Sequence, residues 1–247
     1  MFIDTVELCR PLPHDSYLRS IPAIQHLENG QPLSFQKPVT ILVGENGTGK
    51  STLIEGIAVA YGFNPEGGSV NFQFSTAKAH SELHQYMHLT KRNFAKDGYF
   101  LRAESFFNVA SNIDELDRQP AASPPIIQSY GGVSLHEQSH GESFLTLVQQ
   151  RFRGNGLYIL DEPEAALSPM RLLTLLIEID RLVKNGSQLI IATHSPLLMA
   201  YPDAEILELS HDGIHARSME QTEHYRVLEI FFRDPTHMVD TLLKNSE

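Results

Sequence analysis

Pro38-Val39-Thr40-Ile41-Leu42-Val43-Gly44-Glu45-Asn46-Gly47-Thr48-Gly49-Lys50-Ser51-Thr52-Leu53-Ile54 is the stretch from which the rest of the chain can be read. Its first half is a short β-branched run ending in a glycine-rich turn, the pattern of a buried strand. Its second half opens a helix over 51–61, with Leu53, Ile54, Ile57 and Ala58 on one face and Gly62 and Asn64-Pro65-Glu66-Gly67-Gly68 to stop it. Between them, Gly44 to Ser51 fits G-x-x-x-x-G-K-[ST] at every constrained position. Glycines there let backbone N–H groups close around phosphate oxygens at a helix N-terminus, where the helix dipole favours anions. Lys50 is placed to reach β- and γ-phosphates, and Ser51 to ligate Mg2+. The predicted nucleotide-binding residues are therefore Gly44, Glu45, Asn46, Gly47, Thr48, Gly49, Lys50, Ser51 and Thr52.

Two later strands repeat the design of an apolar run that ends in chemistry. Leu157-Tyr158-Ile159-Leu160 runs into Asp161-Glu162, and Gln188-Leu189-Ile190-Ile191-Ala192 runs into Thr193-His194-Ser195. Parallel strands deliver their C-terminal residues to the ligand edge of a sheet, so these groups are expected beside the phosphates. Asp161 suits support of Mg2+, Glu162 suits polarising an attacking water, and His194 should face the γ-phosphate. The predicted catalytic set is Glu162, His194 and Lys50. Further back, Ser139-His140-Gly141-Glu142 precedes a helix carrying Phe144, Leu145, Leu147 and Val148. Ser139 and Gly141 offer a hydroxyl and accessible backbone N–H groups, either a second anion site or an ordinary helix cap.

Working outward, residues 2–8 alternate apolar and polar and read as an edge strand. Leu83, Tyr86, Met87 and Leu89 suggest a helix, Tyr99–Phe107 a strand, and Pro120–Pro125 a loop. The last hundred residues predict helices at 142–152 and 169–183, strands at 157–160 and 188–192, and a short helix from about 196. Strands at Glu205–Leu209 and Gly213–Arg217 follow, then helical segments at 222–232 and 235–244. Strands alternating with helices predict an α/β fold whose mainly parallel sheet is covered by helices on both faces.

Composition narrows the functional classes. The 247 residues carry 19 basic and 30 acidic side chains, a net charge of −11, which disfavours a dedicated DNA-coating protein. The single cysteine, Cys9, excludes an intramolecular disulfide and argues against a cysteine zinc site. No apolar run approaches the roughly 20 residues of a spanning helix, and the N-terminus does not read as a secretory signal. The expectation is a cytoplasmic protein without direct membrane insertion. No heptad repeat predicts a coiled-coil arm.

Taken together, Gly44–Ser51, Ser139–Glu142, Asp161-Glu162, Ala166-Leu167-Ser168 and His194 resemble, in order and approximate spacing, the motifs of the ABC-type ATPases over roughly 40–210. Within that superfamily the chain is similar to small stand-alone bacterial AAA/ABC-like ATPases, through Phe100-Leu101-Arg102-Ala103-Glu104-Ser105-Phe106-Phe107 and Leu160 to Ser168. Glu142 matches the LSGGE ending of the SMC and DNA-repair branch, where transporters usually carry Gln. His140 stands in place of the first signature glycine, and Gln138 in place of the usual leucine.

The resemblance implies a P-loop fold of the ABC type, one domain over 1–247 with a compact helical insertion at about 75–150 and a C-terminal helical cap at about 218–247. It implies ATP and Mg2+ as cofactors and ATP hydrolysis as the activity. It further implies an ATP-dependent head-to-tail homodimer in which Ser139, His140, Gly141 and Glu142 of one chain face the phosphate loop of the other. Ser51 and Asp161 would serve the metal. Gln73 and Glu104 are the two readings of the further metal-facing residue. Tyr17 and Arg19 lie in the N-terminal region expected near the base, with packing as their other reading. The output would be nucleic-acid processing or action on a partner protein; the alternative is the ATPase subunit of a membrane transporter.

Overall fold

Strand β3 (Val39–Gly44) is buried along its whole length, and its alternate side chains enter two different cores. A strand apolar on both faces must lie in the middle of a layered structure. The computed structural model describes residues 1–70, 81–118, 125–130, 132, 134, 136 and 140–244. Around β3 the chain runs β1 (Ile3–Leu8), α1 (Pro22–Glu28), β2 (Leu33–Ser34), then after β3 α2 (Lys50–Tyr61), β4 (Met87–Lys91) and β5 (Asp97–Arg102). It continues through α3 (Phe106–Arg118), α4 (His140–Arg151), β6 (Gly156–Asp161), α5 (Pro169–Lys184), β7 (Gln188–Ala192) and α6 (Pro196–Met199). The last elements are β8 (Glu205–Ser210), β9 (Gly213–Arg217), α7 (Glu223–Arg233) and α8 (Pro235–Lys244).

Six strands form one sheet in the order β5-β6-β7-β3-β8-β9, parallel throughout except for β9, which pairs antiparallel with β8. Leu157 and Ile159 of β6 and Ile190 of β7 face α2 and the N-terminal elements, while Tyr158, Leu160, Leu189 and Ile191 face the core built with α3, α4 and α5. The period-2 alternation of β-strands thus separates two apolar layers around one sheet. This is the α/β architecture expected from the alternation of elements.

A second sheet, β2-β1-β4, is antiparallel and lies over the α2 side. Buried Gln188 ties it to the first sheet: its side-chain oxygen accepts the N–H groups of Phe2 and Ile3 at 2.6 and 2.9 Å, and its amide nitrogen donates to the Ile3 carbonyl at 2.9 Å. All the polar atoms of that buried amide are consequently used at the junction.

Several local expectations are corrected. β1 is the central strand of its sheet, not an edge, because β4 pairs along its other side over Ile3–Leu8. Residues 83–89 are not a helix: a 3-10 turn, Glu82–Gln85, carries Leu83 inward, and Met87 and Leu89 then alternate with exposed His88 in β4. The strand expected over Tyr99–Phe107 ends at Arg102, and α3 begins at Phe106, where Phe106, Val109, Ala110 and Ile113 repeat at helical spacing against the core. The segment 75–150 accordingly contains β4 and β5 as well as helices, β5 belonging to the parallel sheet. The expected loop at 120–125 falls almost wholly outside the described residues.

At the sheet end opposite the C-terminal strand edge, Asp97 accepts from Arg151 Nη1 at 2.7 Å and from the Tyr158 hydroxyl at 2.8 Å. Burial would raise its carboxyl, but the Arg151 hydrogen bond and charge, with help from Tyr158 and the Arg153 N–H, hold it below the ordinary carboxylate value. The unfolded chain then binds the proton at higher pH than the folded one, so this stabilisation is complete above about pH 5 and fades as pH falls through the unfolded value near 3.9. Asp97→Ala should cost about 3 kcal/mol at pH 7, by urea denaturation, because it strands the partly buried Arg151 guanidinium. The gap from wild type should shrink at pH 3.

Candidate nucleotide site

The parallel strands β3, β5, β6, β7 and β8 end on one edge, and the candidate groups hang from it. After β3 the loop turns through Gly44, Gly47 and Gly49 at φ values of 143°, 86° and 99°. A Cβ at Gly44 would strike the Leu209 carbonyl oxygen, and one at Gly49 would strike the Ile21 side chain, so both the turn and the packing demand glycine. Thr48 braces the loop by donating its hydroxyl to the Glu45 carbonyl at 2.8 Å, while its own carbonyl accepts the Ala23 N–H at 3.1 Å. The loop is thus pinned between α1 and the N-terminus of α2, whose first-turn N–H groups have no intrahelical acceptor.

Lys50 is buried and donates Nζ to the carbonyls of Gly44 at 2.7 Å and Glu45 at 3.1 Å. Burial lowers its pKa, against the opposing charges of Glu162, Asp161, Glu164 and Glu45. At the next residue, the Ser51 hydroxyl donates to Asp161 Oδ1 at 3.2 Å, joining the loop to the end of β6. Asp161 is nearly buried, and burial pushes its carboxyl up to about 6 even with Arg102 opposing it.

Arg102, at the end of β5, was not singled out from the sequence. Its Nη1 donates to Glu55 of α2 at 2.6 Å, and its Nε lies 3.3 Å from Asp161 Oδ2 without the alignment of a hydrogen bond. The guanidinium therefore joins α2, β5 and β6 directly behind the loop. The signal was a basic residue closing the apolar run Tyr99-Phe100-Leu101, the same design that delivers Asp161. Glu104, a candidate metal-facing residue, is exposed and lies 3.9 Å from Arg102 Nη2. Gln73 lies outside the described residues.

Glu162 adopts left-handed backbone angles, φ 49° and ψ 53°, held by its N–H donating to the Ala192 carbonyl at 2.9 Å. Such a conformation costs a non-glycine residue about 1 kcal/mol and recurs at functional positions. Opposite it, His194 Nε2 stands 3.7 Å from Glu162 Oε1, and the Glu164 carboxylate accepts the backbone N–H of His194. His194 Nδ1 lies 2.8 Å from Nε2 of His224, on α7. Burial lowers the His194 pKa, reinforced by the charge of Lys50 and by His224, with Glu162 opposing.

The sheet edge thus assembles Lys50, Ser51, Asp161, Glu162 and His194. The predicted second anion site stands apart. Gly141 is buried, and a Cβ there would strike the Arg171 side chain and approach the Ala166 carbonyl, while Glu142 pairs with Arg171 at 3.1 Å. The accessible glycine expected from the sequence is therefore covered by α5 of its own chain. Ser139 lies outside the described residues, as does the His140 side chain. Tyr17 is 63% exposed, which removes the packing reading, and Arg19 pairs with Glu28 at 3.4 Å.

Two family models match the chain: an "AAA domain" over residues 18–122, and an "AAA domain, putative AbiEii toxin, Type IV TA system" over residues 128–200. The fold is similar to a nucleotide-free ATP-binding cassette from an ABC transporter, at TM-score 0.52 and 17% identity over 95% of this chain and 96% of that one. In its two AAA-domain matches and in its fold, the chain resembles the P-loop ATPases of the ABC type. Among curated relatives, the ribose import ATP-binding protein RbsA of Bacillus cereus is 25% identical over 68% of the chain and 36% of its own length. The guanosine import ATP-binding protein NupO of Bacillus subtilis is 29% identical over 60% of the chain and 31% of its own length. The chain spans about a third of the length of these relatives.

Arg102 partners two nearly buried carboxylates, Glu55 and Asp161. Arg102→Met should lower stability by about 3 kcal/mol in urea denaturation, because both acids lose their cation. A loss below about 1 kcal/mol would show that Glu55 and Asp161 do not depend on it.

Proposed function

We propose that this chain binds Mg-ATP at Gly44–Thr52 and hydrolyses it, with closure of a head-to-tail homodimer as the output. The observation that carries the reading is the hydrogen bond from Ser51 to Asp161, which merges the phosphate loop and the strand-end carboxylates into one site. The import relatives are named as ATP-binding proteins, which supports the nucleotide.

Backbone N–H groups of residues 47–51 and the Lys50 ammonium would hold the phosphates, neutralising charge that grows on the γ-phosphoryl oxygens. For Lys50 this means exchanging two carbonyl acceptors for phosphate oxygens. Among the described residues no group of three or more acids, histidines or cysteines could hold a metal alone. That fits Mg2+, which takes one or two protein oxygens and completes its shell with water and phosphate. Ser51 Oγ and Asp161 would hold the ion, which would draw charge from the bridging and γ-oxygens.

Glu162 would accept a proton from water as the water oxygen bonds to the γ-phosphorus and the bond to the β,γ-bridging oxygen breaks, leaving ADP and phosphate. The left-handed backbone at Glu162 and its position beside His194 support this role. His194 Nε2 would donate to a γ-phosphate oxygen. In the closed dimer Ser139, His140, Gly141 and Glu142 of one chain would face the ATP of the other; Arg171 beside Gly141 would border that contact. On this reading residues 1–247 form one ATPase domain, with 218–247 a helical cap, acting in the cytoplasm on a nucleic acid or partner protein.

A second reading, the energising subunit of an importer, draws support from the ribose and guanosine import relatives. Among the described residues no helix is long and apolar enough to cross a membrane, so on this reading a separate membrane subunit would carry the transport path. Co-purification with an integral membrane protein would select it.

Glu162→Gln should keep Mg-ATP binding and lower turnover by at least about 100-fold. Light scattering with Mg-ATP should then find twice the mass seen without it. Lys50→Ala should lose nucleotide affinity, and Ser139→Arg should block the mass change while sparing binding. If Ser139→Arg dimerised normally, the trans placement would be wrong.

A further inference from the structure

The C-terminal helix α7 reaches the catalytic edge through one side chain. His224 stands two residues after Thr222, whose hydroxyl caps α7 by accepting the Tyr225 N–H at 3.4 Å. Thr222 is fully buried and donates to the Met219 carbonyl at 2.7 Å, so the start of α7 is anchored where His224 projects. The Glu223 N–H donates to Glu208 of β8 at 2.9 Å, fixing the same turn to the sheet.

Only one hydrogen can lie between His194 Nδ1 and His224 Nε2 at 2.8 Å, so two neutral arrangements compete. In one, His194 donates from Nδ1. Its Nε2 is then a bare lone pair facing the Glu162 carboxylate, and His224 carries its hydrogen on Nδ1. That Nδ1 is buried and has no hydrogen-bond partner among the described residues. An N–H buried without an acceptor is the rarer and costlier orphan. In the other, His224 donates from Nε2, and His194 carries its hydrogen on Nε2, directed at Glu162 and the phosphate edge. The second arrangement removes the lone-pair opposition at one end and the stranded N–H at the other.

We infer that His224 is a positioning residue: by donating from Nε2 to His194 Nδ1 it holds His194 in the Nε2–H form that can donate to the transferred phosphoryl group. The inference rests on the proposed ATP hydrolysis for its consequence, and on geometry alone for the tautomer. Burial and the Lys50 charge lower the His194 pKa, which favours the neutral ring in which a tautomer choice exists. A group that fixes a histidine tautomer from the far nitrogen acts on turnover rather than on substrate affinity.

The test uses the full chain labelled with 15N at histidine, the His194 ring signals being assigned by their loss in His194→Gln. Wild type should show His194 as the Nε2–H tautomer. His224→Phe should shift it towards Nδ1–H and lower kcat about tenfold with KM for ATP unchanged. His224→Gln, whose side-chain amide can still donate, should recover most of the loss in both readouts. An unaltered tautomer in His224→Phe would overturn the inference, as would His224→Gln behaving like His224→Phe in both readouts. Absence of ATP turnover in wild type would instead overturn the proposed activity and leave the tautomer result to decide the pairing.

Discussion

Parallel strands must all finish on the same edge, and that geometric constraint organises this protein. β3 ends in the phosphate loop, β5 in Arg102, β6 in Asp161 and β7 just short of His194. Placing a carboxylate at such an edge, nearly out of water, is costly, and its raised pKa records the penalty. Ser51 and Arg102 offset it from two sides, one reaching from the helix after β3 and the other from the neighbouring strand. The charge is thereby kept where a divalent cation and phosphates would meet it.

The supports of this edge come from widely separated parts of the chain. Ala23 of α1 donates to the loop, and Ile21 fills the space beside Gly49. Gln188 joins the small antiparallel sheet to the start of β7, so the N-terminal segment that backs the loop is held to the strand that carries His194. The Glu55–Arg102 pair fastens α2 to β5. α7 adds the last contact through His224. Its outer residues Val227, Ile230 and Phe232 are exposed, so its place owes more to its N-terminal turn than to buried apolar area.

Much of the fold was legible because its signals are local. A strand, a glycine-rich turn and a helix are contiguous in residues 38–61, and the apolar runs before Asp161 and His194 have the short length of buried strands. The misreadings share a cause. Met87 and Leu89 satisfy a strand period while Leu83, Tyr86 and Met87 satisfy a helical one, and only pairing with β1, some eighty residues away, selects the strand. β1 reads as an edge for the same reason: the partner on its second side is non-local. Arg102 hid inside an apolar strand whose length was overestimated, since the turn at 103–105 carries no proline or glycine to mark it.

By itself the sequence determined the glycine-rich loop, the position of Asp161, Glu162 and His194 at strand ends, and the parallel α/β plan, because each is written in contiguous residues whose backbone needs are local. Only the tertiary structure decided that Arg102 faces Asp161, that Gly141 is covered by Arg171, and that His224 meets His194. Those contacts join residues far apart in the chain, and no local period or turn preference encodes which of many charged or aromatic side chains will meet across a packed core.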